Sequence, residues 1–110
     1  MTLSELVDSG KFDTTMLLVI DLMYVGVMYK IARDEKKVEK INKVAYEHCN
    51  RLNKESDDYL CEIFEQYISL DQGYTFQNVV DLNTKLMDAK LQLLKIIQHN
   101  IKEGKPFVCA

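Results

Sequence analysis

The chain has 110 residues, 47% hydrophobic and 28% charged, with a formal net charge of −3. That length supports one domain with a real core and no need of staples. A pI near 5.3 argues against a nucleic-acid partner, because nucleic-acid binders carry a basic face or a high pI, and four glycines with one proline leave few breakers for strands and tight turns, which favours helices.

Thr2, Leu3, Ser4 and Glu5 form a capping box that opens a short helix, with Gly10 suited to the left-handed position after its end. Asp13 or Thr14 caps the next helix, and Phe12 supplies a hydrophobic staple. This second helix carries the most distinctive segment of the chain, residues 16–32, where only Asp21, Gly26 and Lys30 interrupt an apolar run. A helix apolar on nearly every side must be covered on nearly every side. The run is too short for a membrane span, which needs about 20 residues, and a central Asp is costly there.

A charged segment follows, and then a third helix with Val38, Ile41, Val44, Ala45, His48 and Leu52 on one stripe. Tyr24, Ile31, Val38, Ala45 and Leu52 recur every seven residues, and no Gly or Pro lies between Val27 and Glu55. The second and third helices could therefore be one rod of about 40 residues, about 60 Å long. The ordinary length of helices favours a break at residues 33–36 instead. The basic residues Arg33, Lys36, Lys37, Lys40 and Lys43 are interleaved with Asp34, Glu35 and Glu39, which reads as a solvated face with pairs such as Glu39 and Lys43.

Residues 53–56 read as a polar connection with Ser56 as the next N-cap, and Asp57 and Asp58 suit a helix N-terminus. The fourth helix runs to Leu70 and buries Tyr59, Leu60, Ile63, Phe64, Tyr67 and Ile68. Asp71, Gln72 and Gly73 make a turn. The last helix starts near Thr75 or Asn78 and reaches Glu103, with Val79, Leu82, Leu86, Ala89, Leu93 and Ile96 in heptad spacing. Leu94, Ile97 and Ile101 widen that stripe, and Gly104 and Pro106 end the helix. Residues 105–110 form a short tail whose Phe107 and Val108 could dock on the bundle.

No constellation carries strong chemistry. His48, Cys49 and Cys61 lack the paired spacing of a zinc site. His48 reads as a core histidine, and Cys49 and Cys61 as small buried hydrophobes rather than nucleophiles. Cys49, Cys61 and Cys109 are odd in number and irregular in spacing, which predicts free thiols in a reducing, intracellular, cytoplasmic setting. The acidic N-terminal segment does not read as a secretory leader. Asp57, Asp58, Glu62 and Glu65 cluster on one helix start, but a matching acidic motif on a facing helix is missing. Asp21 faces solvent, pairs within the core, or marks a partner site. The tyrosines and methionines serve either a core or an interface. Heavy use of Ile, Lys, Asn, Tyr, Phe and Met points to an AT-rich source genome, as in many phages, viruses and low-GC bacteria.

The expected fold is all-α: a single domain over 1–110, built as a bundle of four main helices plus a short N-terminal one. The expected function is a helical protein–protein interaction module, such as an adaptor, small chaperone, inhibitor or regulator of phage or viral type. It would bind another protein or itself, as a homodimer, because the apolar faces exceed what four helices hide. The expected surface comprises Met16, Val19, Met23 and Val27 on the central run and Leu86, Leu93 and Ile97 on the last helix. Neither a cofactor nor a metal nor a catalytic residue is expected. The alternative is a small all-α metal-dependent hydrolase or ligand-binding protein using Asp57, Asp58, Glu62 and Glu65. A DNA-binding regulator would have to use the basic helix at residues 36–43.

Overall fold

The computed structural model describes residues 2–104, and all regular structure among them is helical. The order is α1 (Leu3–Asp8), α2 (Thr15–Ile31), α3 (Glu35–Cys49), α4 (Lys54–Ser69), a 3-10 turn (Leu70–Gln72) and α5 (Phe76–Lys102). The expected tail, with Pro106, Phe107, Val108 and Cys109, lies outside the described residues.

Local chemistry accounts for each boundary. The Thr2–Glu5 capping box forms as read, and Gly10 sits at φ +75° after α1. Asp13 Oδ1 accepts the Thr15 amide at 2.9 Å, so Asp13 caps the first turn of α2 although Thr14 precedes it. Phe12 is fully buried. At the far end of α2, Arg33 N–H donates to Lys30 O at 3.2 Å and Asp34 N–H to Tyr29 O at 3.1 Å. That pair of bonds is a Schellman motif, with Arg33 at φ +57° in the place glycine usually holds. Asp34 then caps α3 through the Lys37 amide. The rod of about 40 residues is therefore not formed, and the chain breaks within the expected interval.

The start of α4 corrects the expectation for Ser56. The N-cap is Asn53, whose Oδ1 accepts the Ser56 amide at 2.9 Å. Ser56 is fully buried one turn inside, and its hydroxyl donates to Lys11 O at 3.1 Å. Asn53 Nδ2 donates to the same carbonyl at 2.7 Å. Thr75 and Asn78 both belong to the cap of α5, in a reciprocal capping box.

These contacts fix the topology. The start of α4 is stitched to the α1–α2 connection, and Tyr67, near its end, meets Lys30 near the end of α2. Thus α4 runs with α2, while α3 and α5 run against it. α1 packs on α5, and α2 packs on α3, α4 and α5. α3 also reaches α4 through Tyr46, edge-on to Phe64 at 4.9 Å. The molecule is an up-down-up-down bundle, 44 × 25 × 20 Å, its length set by the 27 residues of α5. The core draws on Leu6, Phe12, Met16, Val19, Ile20, Met23, Val27, Leu60, Tyr67, Leu82, Leu86 and Leu93. No helix among the described residues is long and apolar enough to cross a membrane.

Candidate functional site

The residues expected to form an interaction surface are mostly interior. Met16, Val19, Met23, Val27, Leu86 and Leu93 are each 0% exposed, and Ile97 is half-buried against the core. The reason is helical phase. Met16, Val19, Met23, Val27 and Lys30 recur at steps of three and four, so they share one face, and that face points at the other helices. The heptad positions of α5 do the same. The strongest hydrophobic pattern in a sequence marks the face that folding consumes. A docking face has to come from residues out of phase with it.

Such residues exist. Leu18, Tyr24, Val25, Met28 and Ile31 on α2 stay exposed, with Leu18 at 44% and Met28 at 59%. On α5, Val80, Met87, Leu91, Leu94 and Ile101 stay exposed, and their spacing of three, four and seven keeps them on one side of the helix. The two sets meet at the seam between the helices. There Lys90 Nζ lies 2.8 Å from Asp21 Oδ1, with both side chains substantially exposed. Asp21 has Leu18, Tyr24 and Val25 within one turn, and Lys90 has Met87 and Leu94. The outer side of α2 and the adjoining flank of α5 thus carry exposed apolar residues around one ion pair, while much of the rest of the exposed surface of α5 is polar, with Asp81, Lys85, Asp88 and Lys95 on it. Of the readings open for Asp21, the structure gives a surface ion pair with α5.

A second feature is a buried cation. Lys30, on the core face of α2, is buried, with its side chain only 3% exposed. Its ammonium donates to Tyr67 O at 2.6 Å, pairs with Asp71 at 3.1 Å and lies 3.4 Å from the centre of the Tyr67 ring. Desolvation lowers the Lys30 pKa, and the hydrogen bond to Asp71 and its charge work in the opposite direction. The Tyr67 hydroxyl donates to Asn42 Oδ1 at 2.7 Å, and Asn42 Nδ2 donates to Asp71 Oδ2 at 3.1 Å. Burial pushes the Tyr67 phenol above its ordinary range, with the Asp71 charge adding to the effect. The network ties α2, α3, α4 and the 3-10 turn together. Beside it opens a cleft of about 510 Å³ with Arg33, Glu39, Asn42, Asp71 and Tyr74 in its lining. The cleft mixes both charge signs, and its buried ammonium is already satisfied, so it fits a structural clamp better than a ligand site. The signal was present in the sequence: Lys30 follows Met16 and Met23 at steps of seven.

The acidic cluster does not assemble into a centre. Asp57, Asp58, Glu62 and Glu65 are all exposed. Asp58 and Glu62 line a separate hollow of about 390 Å³ with Glu55 and Tyr59. Among the described residues no three His, Cys, Asp or Glu side chains converge to hold a metal. Cys61 is exposed, contrary to the expected burial, and Cys49 is half-buried. Burial, with the nearby Asp57 charge, pushes the Cys49 thiol up to about 11, the reverse of what a nucleophile needs. His48 is half-buried rather than in the core. Comparison with protein-family models, curated proteins and solved structures finds no match.

Proposed function

We propose that this protein is a helical protein–protein interaction module that self-associates through the outer face of α2 and α5. One observation carries the reading: the exposed apolar residues of the two helices adjoin across the Asp21–Lys90 pair. Isolated exposed hydrophobes need no explanation, whereas a contiguous patch marks an interaction site. The residue types agree, since Met and Tyr are enriched at the centres of interfaces. The roles of adaptor, small chaperone, inhibitor or regulator, of phage or viral type, all fall within this class.

The test is the variant Val25→Lys with Leu94→Lys. Both positions lie at about two-fifths exposure, so the bundle tolerates the change. The variant is expected to sediment as a single chain while unfolding at the wild-type temperature. A variant that keeps the wild-type mass overturns the reading.

A further inference from the structure

We infer that the occupant of this face is a second copy of the chain, docked about a two-fold axis that runs along the α2/α5 seam. The inference rests on the self-association proposed above and adds the axis and register in which the two copies dock. A two-fold interface uses the same patch on both subunits, so the patch must complement itself. This one does. It holds one carboxylate and one ammonium 2.8 Å apart within an apolar surround, so it has no net charge of its own. An acidic or basic partner would leave one of the two groups facing its own sign.

The position of the pair fixes the axis. Asp21 belongs to α2 and Lys90 to α5, and the two helices run antiparallel. Rotation by half a turn about the seam carries Asp21 over the partner's Lys90 and Lys90 over the partner's Asp21. Each α2 then lies on the α5 of the partner subunit, antiparallel to it. Val25 comes level with the partner's Met87, and Leu18 with the partner's Leu94. The four charges form an alternating square in which each ion has two opposite neighbours, one within its chain and one across. The face has adequate size. The 17 residues of α2 give a length of about 25 Å at 1.5 Å each, and two helix widths give about 20 Å. Roughly 500 Å² in projection on each copy gives about 1,000 Å² in total, the lower end of specific interfaces.

The experiment uses two single charge reversals, Asp21→Lys and Lys90→Asp, in the full chain. Each alone would place four like charges at the centre of the dimer, and self-association is expected to weaken about 100-fold or more in sedimentation equilibrium. Mixing the two variants in equal amounts is expected to restore assembly as a heterodimer, identified by native mass spectrometry. Each chain in that mixture lacks its internal pair, so recovery can come only from pairing across the axis. Thermal unfolding of each variant monitors the fold, and the neutral pair Asp21→Asn with Lys90→Gln serves as a second probe, expected to dimerise. Assembly of the wild type without recovery in the mixture overturns the seam axis and leaves the interaction reading standing. A wild type that stays a single chain overturns both.

Discussion

Tyr67 and Gly26 show how one residue choice determines a neighbour's. The Tyr67 hydroxyl and ring edge occupy the space where a side chain at position 26 would begin. The ring cannot retreat, because Lys30 lies over its face and Asn42 accepts its hydroxyl. Gly26→Ala gains about 1 kcal/mol of helix propensity but overpacks a fixed site, at a cost of roughly 1–3 kcal/mol. Urea unfolding is expected to show a lower midpoint, and a raised one would contradict the packing. From sequence, Gly26 reads only as an interruption in an apolar run, since nothing local announces the tyrosine 41 residues later. Cys49 behaves as its burial dictates. The folded thiol holds its proton up to about pH 11 while the unfolded thiol releases it near 9. Between those values the unfolded chain binds fewer protons, so this group's contribution to stability is lost as pH rises through that window. Iodoacetamide at pH 8, followed by peptide mapping, is expected to label exposed Cys61 well ahead of Cys49; equal labelling would contradict it.

At the scale of elements, boundaries with a single dedicated residue are legible in the sequence, and those with none or with two competing ones are not. Gly10, the Thr2–Glu5 box and the Thr75–Asn78 box all lie where their chemistry places them. The end of α2 uses the same hydrogen bonds as the end of α1, but with arginine in the left-handed position. No glycine marks the break, and the seven-residue spacing runs through it, so sequence alone left a continuous rod open. Relieving the strained backbone is expected to stabilise the protein. Arg33→Gly should raise the unfolding free energy by about 0.5–1 kcal/mol, the left-handed cost of an L-residue less the flexibility of glycine; a lower melting temperature would contradict it. α4 starts one turn earlier than Ser56 suggests, because Asn53 and Ser56 are both good caps and Asn53 takes the role. Long-range bonds from both to Lys11 O settled the choice.

For the whole molecule, the sequence supported an all-helical bundle around the 16–32 run, and the structure agrees. That some apolar side chains of α2 and α5 stay exposed is also legible. Their location is not, because amphipathic spacing identifies the face that packs: Met16, Val19, Met23, Val27, Leu86 and Leu93 are interior, and Ile97 is half-buried. What remains outside is the opposite side of α2 and the flank of α5, where Leu18, Val25, Met87 and Leu94 surround Asp21 and Lys90. Folding of one chain leaves that side uncovered, and in the self-association proposed above a second copy, complementary to it in charge, covers it. The most direct measurement is the mass of the wild-type chain by sedimentation equilibrium from the low micromolar range to about 100 µM. The account predicts a concentration-dependent rise to twice 12.8 kDa. A mass that stays at one chain across the whole series would contradict it.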